Sequence, residues 1–142
     1  MMKNTFWAVC VLLFGAAVYA AEPAPLAVTR AVFAKAVENR EPVDTFTALG
    51  NSTTRVYFFS EIRGMAGQSV VHRWEHNEKI LQEVTFKIES SRWRAFSNKT
   101  LDPRLTGEWK VSVVDAAGST LSVNTFSYLP DQKPEPTPVK TP

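Results

Sequence analysis

SVVHRWEHNEKILQEVTFKI, residues 69–88, decides how the chain folds. It holds both histidines of the sequence, His72 and His76, four positions apart. On a helix that spacing would put them on one face, close enough to share a metal ion. On a strand they also share a face, but about 13 Å apart at roughly 3.3 Å per residue, too far for one ion. The second half of the stretch settles the choice. Val84, Phe86 and Ile88 alternate with Thr85, Lys87 and Glu89, which is the two-residue period of a half-buried strand. Ser69–His76 is then its partner and Asn77-Glu78 the turn between them. HRWEH also lacks the HExxH order of a zinc protease, because its glutamate follows the tryptophan. A metal site is not expected.

Working outward, the same alternation recurs between turn signals. Thr53–Glu61 (TTRVYFFSE) is rich in aromatic and β-branched residues and reads as a central strand. IRGMAGQ is a turn, Arg92–Lys99 another extended piece, and Trp109, Val111 and Val113 alternate ahead of a turn at Asp115–Gly118. Leu121–Tyr128 closes the set. Near the start, the alanines of AVFAKAVE would suit a helix, but Val28–Val37 is taken as a first strand. NREPVD, residues 39–44, reads as loop, since Pro42 restricts the residue before it. The fold class is therefore all-β: a small antiparallel, immunoglobulin-like β-sandwich of about seven strands at residues 28–129.

The flanks have a different character. Residues 1–20 carry one charge, Lys3, then an uncharged apolar run from Phe6 to Tyr19, then small residues. Val18 and Ala20 suit a signal-peptidase site, so residues 1–20 are expected to be a cleaved signal peptide and 21–27 a linker. The run is shorter than the roughly 20 residues of a membrane-crossing helix, so membrane contact is expected only if the segment stays uncleaved. Residues 130–142 contain five prolines and read as a disordered, proline-rich tail.

Composition narrows the functions. Cys10, the single cysteine, lies in the expected signal segment, leaving no disulfide, thiol nucleophile or zinc-thiolate site in the mature chain. Without Lys3 the 16 basic residues become 15 against 14 acidic ones, a net charge of +1 with no basic block. Nucleic acid is not an expected partner. No nucleophile elbow and no phosphate-cradling glycine loop occurs. No cofactor, metal or catalytic residue is assigned.

What recurs is tryptophan beside a basic residue: Arg73-Trp74, Arg92-Trp93-Arg94 and Trp109-Lys110. Alternation explains most of this, one neighbour filling the core and the other facing solvent. Trp109 and Trp74 are expected in the core. Trp93 lies in a polar segment, where both burial and exposure stay open. Trp and Arg dominate interface energetics, so Arg73, Trp93 and Arg94 are the candidate partner-binding residues.

The order TRAVF, ENREPVD, RVYFFSEIRGMAGQSVVHRWEHN, RWRAFSNK and TGEWKVSVVDAAG resembles the bacterial family catalogued as domain of unknown function 2914. The likeness covers about Thr29–Tyr128, with HRW, RWR and the later G-x-W-x-V its most specific parts. It implies a bacterial, extracytoplasmic β-domain and brings no catalytic residues. The combined expectation is a non-enzymatic envelope module in the periplasm that binds a protein partner. The alternative is a carbohydrate- or peptidoglycan-binding module, taking cell-wall glycan on an exposed tryptophan.

Overall fold

Turn chemistry divides the chain into strands. Asn39-Arg40 and Asn77-Glu78 all have positive φ, at 49°, 61°, 47° and 62°. This is the backbone of two-residue hairpin turns, whose twist matches that of the strands they join. The computed structural model describes residues 27–132. Its strands are β1 (Val28–Glu38), β2 (Glu41–Phe46), β3 (Ala48–Gly50), β4 (Arg55–Arg63), β5 (Ser69–His76), β6 (Lys79–Lys87), β7 (Arg92–Thr100), β8 (Gly107–Asp115) and β9 (Thr120–Leu129).

They form two sheets, of order β2-β1-β4-β7 and β3-β9-β8-β5-β6. This is an all-β sandwich, and the placing of β1, β4 and β7 against β9, β8, β5 and β6 is immunoglobulin-like. The described residues form nine strands where the sequence suggested about seven. Residues 41–44, expected as part of a loop, belong to β2. That strand is a sheet edge, where the N–H that Pro42 lacks is not needed for the ladder. Three-residue β3 is too short for any periodic signal. It pairs in parallel with β9 (Ala48 opposite Ser127), whereas the other pairings are antiparallel.

The core lies between the sheets. Phe33, Phe58, Trp74, Trp109, Phe126 and Tyr128 are buried there beside Val56, Val70, Val111 and Val113. The Phe33 ring centroid lies 4.7 Å from Phe126, 5.1 Å from Phe58 and 6.2 Å from Trp74. Each such ring contributes roughly 1.5–3 kcal/mol by leaving water. The polar ends of the core aromatics find backbone partners. Trp109 Nε1 donates to the Leu105 carbonyl at 2.9 Å, which fastens the β7–β8 connection. The Tyr128 hydroxyl donates toward the carbonyls of Thr53 (3.0 Å) and Asn51 (3.2 Å).

The domain ends differ slightly from the expected limits. The Ala27 carbonyl accepts from Arg63 N–H at 2.7 Å, which brings the last expected linker residue into the fold. Asp131, expected in the tail, donates its N–H to Asn51 Oδ1 and accepts from Ser52 N–H, both at 3.0 Å. Any side chain at Gly50 would collide with the Asp131 carboxylate. The signal segment and residues 133–142 of the tail lie outside the described residues.

Candidate functional site

The stretch 69–88 becomes the β5–β6 hairpin, and the inner-facing residues of β5 include His72, Trp74 and His76. His72 is completely buried between the rings of Phe58 and Phe86, at 4.8 and 4.7 Å. Its Nε2 is 2.8 Å from Ser60 Oγ on β4, and its Nδ1 is 2.9 Å from Ser97 Oγ on β7. Trp74 Nε1 donates to the same Ser97 Oγ at 3.0 Å. A neutral imidazole serves this arrangement, donating at one nitrogen and accepting at the other. Burial disfavours its charged form and lowers the His72 pKa from 6.5 to about 3. Hydroxyl beside imidazole is the chemistry of a nucleophile and its base, but this pair is sealed from solvent inside the core.

His76 does a different job. Its Nε2–H donates to the Thr106 carbonyl at 2.8 Å, and its ring packs 4.8 Å from Trp109. The two histidines therefore serve separate structural contacts. Among the described residues, no group of three or more His, Cys, Asp or Glu side chains is placed to hold a metal ion.

The three candidate contact residues do not form one surface. Arg73 lies on β5, in the five-stranded sheet, and is ion-paired with Glu83 of β6 at 2.7 Å. Trp93 and Arg94 lie on β7, the edge of the other sheet. Trp93 is half-buried against the core, which resolves its open position between core and surface.

Around Trp93 and Arg94 the fold gathers residues that the sequence kept apart. Arg30, Glu61 and Arg94 occupy one cross-strand row of β1, β4 and β7. Glu61 is only 7% exposed. Its carboxylate accepts from Arg92 at 2.7 Å, from Arg63 at 2.9 Å and from Thr29 Oγ1 at 3.3 Å, with Arg94 4.0 Å away. The Arg92 hydrogen bond is the main reason its pKa falls from 4.5 to about 2; burial opposes the fall and Arg63 adds to it. The same contact raises the pKa of Arg92.

The β1–β2 hairpin bends back over this face. Glu41, just past its turn, reaches Arg30 at 2.7 Å and Arg94 at 3.1 Å. Arg40, in the turn itself, holds its guanidinium 6.0 Å from the Trp93 ring centroid. Beneath the hairpin, Phe59 on the outer side of β4 is completely buried, with the Arg30 guanidinium 5.1 Å above it. Arg40, Arg92 and Arg94 together line a pocket of about 290 Å³. Four arginines (30, 63, 92 and 94) meet Glu41 and Glu61, Arg40 lies beside them over Trp93, and Glu38 is opposite Glu41 across the hairpin. Five positive and three negative charges leave an excess of two.

Sequence reasoning found Trp93 and Arg94 through the RWR motif, and Arg92 could have been chosen with them. Arg40, Glu41 and Glu61 carried no signal, because only the bent hairpin brings them to β7.

Residues 67–128 match the model of a family described as a protein of unknown function (DUF2914). The matched stretch runs from the turn before β5 into β9 and contains HRW, RWR and G-x-W-x-V, so it bears out the resemblance those motifs carry. TRAVF and ENREPVD, in β1 and β2, lie outside it. No curated protein matches the chain.

Proposed function

We propose that this chain, with its match to a family of unknown function, is a non-enzymatic binding module of the bacterial envelope. The partner is a protein that docks at the β7 edge. Support comes from the Arg40–Arg92–Arg94 pocket at the β7 edge, with Arg40 also reaching the ring of half-buried Trp93, which lies on the core-facing side of the same strand. Trp and Arg are the residues most enriched at interface hot spots. The excess of positive charge favours a partner that presents carboxylates, which arginine can grip through two parallel hydrogen bonds. The periplasmic location rests on the signal-like residues 1–20.

The glycan alternative draws less support. A stacking platform needs an open aromatic face, and the Arg40 guanidinium already lies over the Trp93 ring. The test is in-cell crosslinking of the exported protein beside a folded Trp93→Ala, Arg94→Ala variant. Specific protein partners that disappear in the variant support this reading. Partners that are unchanged remove the β7 edge from it, and retention on isolated cell-wall glycan would favour the alternative.

A further inference from the structure

At the opposite lateral edge of the sandwich, half of β9 has no neighbour on the side away from β8. β3 covers only Ser127–Leu129 before the chain crosses at Thr47 into the other sheet. There Ser127 N–H donates to the Thr47 carbonyl at 3.0 Å, and the Leu129 carbonyl accepts from Asn51 N–H at 2.8 Å. These two residues therefore turn their backbone groups away from β8. By the two-residue alternation of a strand, Thr125 and Val123 turn theirs the same way. Among the described residues nothing pairs with them on that side.

The open edge faces a cleft of about 530 Å³ between β9 and the β1–β2 pair, lined by Ala31, Phe33, Phe46 and Val123 among others. Val123 is 57% exposed. None of the cleft's nine lining residues is charged. The other long edges are guarded as sheet edges usually are. β6 carries Lys79, Glu83 and Lys87; β7 carries Arg92, Arg94 and Lys99; β2 carries Glu41 and Asp44. Thr120–Phe126 carries no charge at all.

We infer that the free half of β9 is a strand-addition site for an extended, uncharged peptide segment of another protein. The segment pairs its backbone with Val123 and Thr125 and lays an apolar side chain over Phe33 and Phe46. Backbone pairing supplies the affinity and the side-chain pocket the selectivity. Neutrality follows from the lining, since a charge buried there would find no partner. The chain's own flanks have the wrong chemistry. KPEPTPVKTP, after β9, combines charges with alternating prolines that lack N–H donors, and AEPAPL, before β1, has a glutamate and two prolines.

The test pans the complete mature protein against displayed random seven-residue peptides and measures the enriched peptides in solution. The expected binders are uncharged, rich in β-branched and apolar residues, and slow hydrogen exchange at the Val123 and Thr125 amides. Thr125→Pro deletes one outward donor and leaves the β8 ladder intact, so it should weaken binding about tenfold, the value of one hydrogen bond. Val123→Lys, which leaves the backbone unaltered, serves as a second variant. Trp93→Ala, Arg94→Ala should bind these peptides normally, so failure of this site and failure of the β7 surface are told apart. The inference is overturned if no peptide is enriched, or if both β9 variants bind unchanged. It is also overturned if the two amides are already protected in the free protein, because the edge is then filled by the chain's own flank or by a second copy, which light scattering would reveal.

Discussion

Ser60 and Glu61 are neighbours on β4 that face opposite sides of one sheet, and both are buried. Ser60 turns inward to His72, and the polar network there is neutral, hydrogen-bonded and enclosed by aromatic rings. Glu61 turns outward to a group of arginines whose own side chains stay near water, 49% exposed for Arg92 and 52% for Arg63. Burial without a charge partner drives His72 to its neutral form, whereas a ring of cations holds Glu61 in its charged one. The charge states are therefore opposite, and the difference lies in the partners and in how near each group sits to water. The neutral side is suited to holding two sheets together. The ionic side is suited to meeting another molecule.

The largest effect should come from the neutral side. Trp74→Ala empties core volume and leaves Ser97 without its indole donor, at a cost of about 4 kcal/mol in urea denaturation at pH 7. A cost under about 1 kcal/mol would mean that the inner network does not join the sheets.

Acid should then separate the two sides. Between pH 6.5 and about 3 the unfolded chain protonates His72 while the folded chain does not, so stability falls with pH by up to about 1.4 kcal/mol per unit. From pH 7 to pH 5 the protein should lose about 2 kcal/mol, and a His72→Gln variant should lose none of that increment. The contribution of Glu61 is present above pH 4.5 and disappears only as pH falls toward 2. An unchanged slope in His72→Gln would refute the assignment of that window.

Glu61→Gln should cost less, about 1–2 kcal/mol, because exposed arginines regain water when they lose their partner. The loss should shrink as salt rises. Arg73→Ala should be smallest, within about 0.5 kcal/mol, since its pairing with Glu83 is a surface one. A larger loss there would place a structural ion pair on the five-stranded sheet and blur the contrast between the two sides.

The sandwich was legible where alternation is strong. β4, β5, β6 and β8 were visible because one face of each strand had to be apolar, and the same argument placed Trp74 and Trp109 in the core. β2 hid behind Pro42, which signals a break inside a sheet but not at an edge. The candidate surface was half legible. RWR marked Trp93 and Arg94, while grouping them with Arg73 joined residues that belong to different sheets.

Residues 69–88 alone determined that His72 and His76 could not share a metal ion, because strand geometry fixes their separation whatever surrounds them. Only the tertiary structure decided what each histidine does. Burial and hydrogen-bond partners come from strands distant in sequence: Ser60 and Ser97 for one, Thr106 for the other. The same holds for the arginine pocket and the open half of β9. The first arises where a hairpin bends over its own sheet and the second where the chain crosses between sheets at Thr47, and nothing in a local pattern records what lies beside a strand once it has folded.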